Sequence, residues 1–190
     1  IFDLDGTLWD AVDNILISWN DVLKKHREVN KLITKQELTD CMGHKMDDIA
    51  QALFPDADKN MQTALMEECS AFELEYLAKN GANLFDGLTK VIKELSAKYR
   101  LFICSNCQKG YIECFLKYYE LEKYFTDTEC WGNTGLSKGE NNVRLIKCNN
   151  LSSPVYVGDT QGDLNSAIFA DIPFIFASYG FGNADKPDYV

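Results

Sequence analysis

The chain has 190 residues, 46% hydrophobic and 25% charged, enough to bury a core as one large domain or as one domain carrying an insert. Its 19 basic and 29 acidic residues leave a formal charge of −10, which argues against a nucleic-acid binder running on bulk positive charge. No apolar run approaches the ~20 residues of a membrane span, no signal-peptide pattern opens the chain, and the odd count of seven cysteines reads as reduced thiols in a cytoplasm.

The first seven residues, Ile1-Phe2-Asp3-Leu4-Asp5-Gly6-Thr7, read as a buried parallel strand delivering acids to its carboxyl end. In open α/β sheets ligands bind there. Strand alternation would aim Asp3 and Asp5 at one bound atom, unless the bend at Gly6 redirects the second acid. Taken alone, D-x-D-G fits either a carboxylate pair relieved by a divalent cation or a solvated turn whose acids cap the next helix. A helix is predicted over 10–28. Thr34-Lys35-Gln36-Glu37 is a capping-box pattern opening a second helix that ends near Met42-Gly43. A third runs over about 45–53 and stops before Pro55. A fourth covers about 57–79, with Leu65, Met66, Cys69, Phe72, Tyr76 and Leu77 on its apolar face. Nothing between Asp10 and Gly81 reads as a strand.

Beyond Gly81 the pattern changes. A helix over 87–98 precedes a buried strand over 101–104 that ends at Ser105-Asn106. Residues 108–119 read as helical and 128–130 as a weak strand. Ser137-Lys138-Gly139-Glu140 is a second capping box, so Lys138 lies in the first turn of a helix running to about Cys148. A strand over 154–157 ends at Gly158-Asp159, a helix follows Gly162-Asp163, and a strand covers 173–177. This alternation predicts a doubly wound, Rossmann-like parallel sheet with helices on both faces and an all-helical insert after the first strand. The domains are then 1–10 with 82–190 for the α/β core, and 11–81 for the helical cap. The chain opens inside a strand without Met and stops at Asp188-Tyr189-Val190 as another strand begins, so further residues are expected on both sides.

Three polar signals fall at element ends of that core. Ser105 and Asn106 offer phosphate-binding donors, although Ser-Asn is also common turn chemistry. Lys138 is a cation at a helix N-terminus, mildly unfavourable with the dipole unless an anion sits nearby; a surface lysine is the plain alternative. Gly158-Asp159-Thr160-Gln161-Gly162-Asp163 closes a strand with two acids four apart, the most specific of the three. Cys104-Ser105-Asn106-Cys107 spells C-x-x-C, but no second such pair and no histidine pair accompanies it, and the chain has only His26 and His44.

Taken in order, Asp3-x-Asp5-x-Thr7, Ser105, Lys138 and Gly158-Asp159-x-x-x-Asp163 resemble the four signature motifs of the haloacid dehalogenase-like hydrolases. The helical insert is similar to the cap of the branch containing phosphoglycolate phosphatase and β-phosphoglucomutase. The segment from Tyr156 to Gly182, with Gly180-Phe181-Gly182 after the last clear strand, is most like phosphoglycolate phosphatase-type members. The resemblance implies Asp3 as the nucleophile that forms an aspartyl-phosphate and Asp5 as the general acid and base. It implies Mg²⁺ held by Asp3, the Asp5 carbonyl and Asp159, with Asp163 supporting that shell. Ser105, Asn106 and Lys138 would clamp the phosphate, and Thr7 would hold the turn. Dehalogenase and phosphonate-cleaving members lack an acid at the position of Asp5, so the acid points to phosphate monoesters.

The substrate loop is expected at Gly43, His44 and Lys45, and Trp9, at the cap hinge with Asp10, is a further candidate for substrate specificity. His44 and Lys45 would either meet a second anionic group on the substrate or stand as solvated turn residues. Trp19, Trp131, Tyr118 and Tyr119 read as packing residues. The expected activity is hydrolysis of a small, phosphoglycolate-like phosphate ester in the cytoplasm by a monomer or homodimer, without nucleic acid or membrane. A phosphosugar mutase and a non-catalytic phosphate-ligand binder remain as alternatives.

Overall fold

The computed structural model describes residues 1–190. Its sheet is built around the opening residues. Strand β3 (Leu101–Ser105) pairs parallel with β4 (Phe125–Cys130), and β5 (Tyr156–Gly158) pairs parallel with β6 (Phe174–Phe176). Residues 1–3 lie between the two pairs, where Phe2 bridges in parallel to both Ile103 and Val157. Four backbone hydrogen bonds of 2.8–2.9 Å seal that position: Phe2 N to Phe102 O, Cys104 N to Phe2 O, Val157 N to Ile1 O, and Asp3 N to Val157 O. Tyr189 adds a parallel bridge outside β6. The sheet order is therefore β4, β3, residues 1–3, β5, β6, Tyr189, all parallel, as the strand–helix alternation predicts. The opening strand is shorter than expected because the chain bends away after Leu4.

Side-chain alternation sorts the core onto both faces of the sheet. Leu101 and Ile103 point to a cluster shared with Leu88 and Ile92 of α5 (Leu88–Ser96) and with Ile112 and Phe115 of α6 (Tyr111–Tyr118). Phe102 and Cys104 point the other way, to Leu145 of α8 (Lys138–Cys148) and Leu164 of α9 (Gln161–Phe169). A single turn of helix, α7 (Trp131–Thr134), follows β4.

The inserted helices are α1 (Val12–Leu23), α2 (Lys35–Cys41), α3 (Met46–Leu53) and α4 (Lys59–Asn80). A short antiparallel ribbon carries the chain in and out of them: β1 (Trp9–Asp10) pairs with β2 (Asn83–Leu84), Trp9 opposite Leu84. No helix is long and apolar enough to cross a membrane. Both predicted capping boxes form, at Thr34 with Glu37 and at Ser137 with Glu140, and fix the starts of α2 and α8.

Some boundaries differ. The first helix ends at Leu23 instead of reaching Glu28. Its last apolar anchors are Val22 and Leu23, and the polar run beyond closes with i→i+3 bonds such as His26 N to Leu23 O, 3.0 Å. Helix α4 starts at Lys59, where the Asp58 side chain accepts from Met61 N. Helix α6 starts at Tyr111 instead of Gln108 because Gly110 takes a left-handed φ of 91°. The freed residues form the loop that brings Asn106, Cys107 and Gln108 to the carboxyl end of β3.

Candidate active site

Where the central strand ends, the chain turns sharply. Gly6 has φ 78°, its N–H donates to the Trp9 carbonyl at 2.9 Å, and a Cβ there would overlap the Asp159 carboxylate. Only glycine suits both demands. The bend separates the two opening acids. Asp3, still on the strand, is 1% exposed and faces α8. Asp5, already off it, is redirected toward α6, where its Oδ1 accepts from Tyr111 Oη at 2.8 Å and from Trp9 Nε1 at 2.9 Å. Both acids still line one cavity.

Lys138 joins the first strand to the last motif. Only 5% exposed, its ammonium sits 3.0 Å from Asp3 Oδ2 and 2.7 Å from Asp163 Oδ1. The anions expected beside this helix N-terminus are thus protein carboxylates. Burial pulls the lysine pKa down, but Asp163 and Asp3 outweigh it and the net shift is upward. The opposite holds for Asp3, where burial and the charge of Asp163 outweigh Lys138 and push the carboxyl well up. Asp159 moves the same way, from burial and from Asp163.

Asp163 is saturated with donors. Its Oδ1 takes Lys138, and its Oδ2 takes the N–H groups of Asp159 and Thr160 and the Thr160 hydroxyl. The bonds between Thr160 and Asp163 form a capping box at the start of α9 that the sequence reading missed. Asp159 accepts from Thr7 Oγ1 at 3.1 Å and from Phe181 N at 2.8 Å. Thr7 and the Gly180-Phe181-Gly182 segment therefore both hold Asp159.

Carboxylate oxygens of Asp3, Asp159 and Asp163 lie within 4.8 Å of one another, all buried, with one ammonium among them. Asp3 Oδ1 is buried and has no hydrogen-bond partner. An acidic, oxygen-only donor set with an orphaned oxygen fits a hard divalent cation. Asp5 behaves differently. Burial pushes its carboxyl up to about 7, against the opposing hydrogen bonds from Tyr111 and Trp9. An acid with that pKa exchanges a proton near neutral pH.

The cavity, of about 50 Å³, lies between the sheet edge and α1–α4. Ser105 and Asn106 line it, as do Gly43 and His44. The Asn106 side chain also reaches across the cavity mouth: its Nδ2 donates to the Gly43 carbonyl at 2.8 Å, joining the loop after β3 to the turn between α2 and α3. Lys45 is not on the lining; it precedes the first turn of α3, and its charge acts on Glu140 of α8. Trp9 is also off the lining. It is fully buried among Tyr111, Phe115 and Tyr119, where it packs the hinge and holds Asp5 instead of selecting a substrate. Trp19, expected to pack only, lines the cavity and donates to Glu73 Oε2 at 2.6 Å. Glu73 accepts from Gln108 Nε2 at 3.0 Å and is 2% exposed, with burial pushing it up to about 8. It lies on α4 amid apolar positions, and no local sequence signal marked it.

Comparisons with known proteins agree with this architecture. Over 197 aligned residues, 99% of this chain, it is 25% identical to a tyrosine-protein kinase, PtkA, of Mycobacterium tuberculosis, and it spans 64% of that relative's length. Its fold matches a predicted phosphoglycolate phosphatase from Haemophilus somnus, with TM-score 0.84, 20% identity, and 99% and 90% of the two chains covered. It also matches β-phosphoglucomutase from Clostridium difficile, with TM-score 0.74, 14% identity, and 92% and 82% covered. Residues 1–177, from the opening strand to just past β6, match the haloacid dehalogenase-like hydrolases, and the chain belongs to that family.

Proposed function

We propose that this chain is a Mg²⁺-dependent phosphatase that hydrolyses a small phosphate monoester through an aspartyl-phosphate on Asp3. The observation that carries the reading is the pairing of two acids of unlike character. Asp3 stands in a charged cluster with an orphaned oxygen, and Asp5 has a pKa of about 7 beside the same cavity. An Asp3 oxygen attacks phosphorus as the bond to the leaving oxygen breaks, and Asp5 gives that oxygen its proton. Asp5, now a carboxylate, takes a proton from water. The water oxygen attacks phosphorus, and the Asp3–phosphorus bond breaks to release phosphate. Ser105 and Lys138 orient the phosphoryl oxygens. Mg²⁺, held by Asp3, the Asp5 carbonyl and Asp159, would neutralise charge between nucleophile and phosphate, with Asp163 fixing that shell.

In this reading residues 1–10 and 82–190 are the catalytic core, and 11–81 are a cap that excludes bulk water. The setting is the cytoplasm and the partner a small phosphorylated metabolite; phosphoglycolate is the ester expected from the resemblance. A phosphosugar mutase is the second reading, on the likeness of the fold to β-phosphoglucomutase.

The test is p-nitrophenyl phosphate hydrolysis with Mg²⁺ and with EDTA. Turnover should require the metal, and Asp3→Asn should lower kcat by about 10⁴-fold or more. An Asp3→Asn protein as fast as wild type would sink the proposal. Hexose-phosphate isomerisation that outruns phosphate release would assign the mutase instead. Phosphate transfer to a tyrosine peptide, faster than release to water, would favour the activity named for the mycobacterial relative.

A further inference from the structure

The catalytic scheme leaves one buried acid on the cavity wall unused. Glu73 reaches the lining from α4, whereas Asp3 and Ser105 reach it from the sheet. Trp19 fixes one of its oxygens and Gln108 the other. Each oxygen keeps further hydrogen-bonding capacity. No other side chain hydrogen-bonds to Glu73, and Ile15, Leu38, Met46 and Ile49 supply apolar wall to the same cavity. The open valences of Glu73 are thus available to whatever occupies the cavity. The lining as a whole holds no lysine or arginine, and His44 is its only basic side chain.

We propose that Glu73 selects the alcohol end of the substrate: the ester carries an uncharged or cationic hydrogen-bonding group there, and not a second anion. The inference rests on the phosphatase reading above and departs from the phosphoglycolate expected there from the resemblance. An ester bound by its phosphate at Ser105 and Lys138 places its organic end among the apolar side chains and Glu73. A hydroxyl there hydrogen-bonds to the carboxyl, and an ammonium displaces the Glu73 proton and pairs with the carboxylate. A carboxylate there would be stripped of water with no lysine or arginine on the lining to meet it. Glu73 is a specificity residue on this account. It touches the substrate but no reacting atom.

A near-isosteric series tests this directly: 2-hydroxyethyl phosphate, 2-aminoethyl phosphate and phosphoglycolate, each with Mg²⁺, with p-nitrophenyl phosphate as the common reference. The wild type should show kcat/KM about tenfold or more higher for the hydroxyl and amino esters than for the acid. In Glu73→Gln, which keeps an acceptor for Trp19 and a partner for Gln108, the ratio of amino ester to acid should fall about tenfold, mostly through KM for the amino ester. Phosphoglycolate equal to or better than the other two in wild type overturns the assignment. So does a Glu73→Gln ratio that does not move. An acid preference that Glu73→Gln abolishes also overturns it, because Glu73 would then be donating a proton to a substrate anion. Wild type that hydrolyses no ester, p-nitrophenyl phosphate included, overturns the phosphatase reading itself, whereas acid preference with good reference turnover overturns only the assignment of Glu73. If Glu73→Gln loses its cooperative melting transition, the wild-type ranking decides alone.

Discussion

Lys138 shows how one residue at the site is bound up with the stability of the core. Its ammonium is the only cation contacting Asp3 and Asp163, and none of the three has water to fall back on. Removing one partner of a buried ion cluster leaves uncompensated charge, which costs more than the pair contributes. Lys138→Met, which keeps most of the volume and loses the charge, should destabilise the metal-free protein by about 3 kcal/mol. Urea unfolding with EDTA measures this. Excess Mg²⁺ should return part of the loss, since a cation that binds only the folded state stabilises it by mass action. An equal loss with and without Mg²⁺ would mean that the acids of this cluster do not hold the metal. The residues proposed to bear this chemistry could be named from the sequence because they are few and fixed to strand and helix ends: Asp3, Asp5, Ser105, Lys138, Asp159 and Asp163. Trp9 was misread. Its position at the hinge was correct, but an indole N–H needs a buried acceptor, and Asp5 four residues back supplies it.

At the scale of elements, the loop after β3 meets the turn between α2 and α3 through one hydrogen bond, Asn106 Nδ2 to the Gly43 carbonyl. The Gln108 to Glu73 hydrogen bond is a second link and the ribbon of β1 and β2 a third, which the Tyr119 hydroxyl holds by accepting from Ala82 N at 2.9 Å. Asn106 thus acts as a latch on the closed arrangement as well as a candidate phosphate neighbour. Asn106→Ala should weaken closure by about 1 kcal/mol, raising KM about fivefold. Steady-state kinetics over the ester series reads this out. A fall in kcat with unchanged KM would instead place the side chain on the reacting phosphate. Element starts were readable wherever a local signal exists, as with the capping boxes of α2 and α8. The start of α6 was not, because it depends on the φ of Gly110. The polar triad of Trp19, Glu73 and Gln108 was invisible for another reason. Trp19 and Glu73 are 54 positions apart, and both look like members of apolar stripes until the helices pack. Tertiary contacts of that range leave no periodic trace in a single sequence.

Across the whole molecule, one apolar cluster of 31 residues runs from the sheet face through α6 into α1–α4 without a break. The inserted helices therefore pack on the sheet and its helices continuously, and the price is that polar groups caught between them lose water. Glu73 is the clearest case, because no cation contacts it and its two donors, Trp19 and Gln108, only partly offset burial. Its folded pKa of about 8 stands above the ordinary 4.5, so between those values the folded protein holds a proton that the unfolded chain releases. Stability from this group is complete below about 4.5 and declines as pH rises, with the full penalty present above about 8. The size is a few kcal/mol. Asp5 and the metal-site acids titrate with the same sign, so wild type alone cannot isolate Glu73. Comparison with Glu73→Gln in excess Mg²⁺ does, because the metal holds its own ligands ionised in both proteins. The variant should be no more stable than wild type near pH 5 and more stable near pH 8.5, with the two curves crossing between, by urea unfolding at each pH. Parallel curves would mean that the Glu73 carboxyl reaches water by transient opening of the cap, and that the core–cap contact is looser than its packing implies.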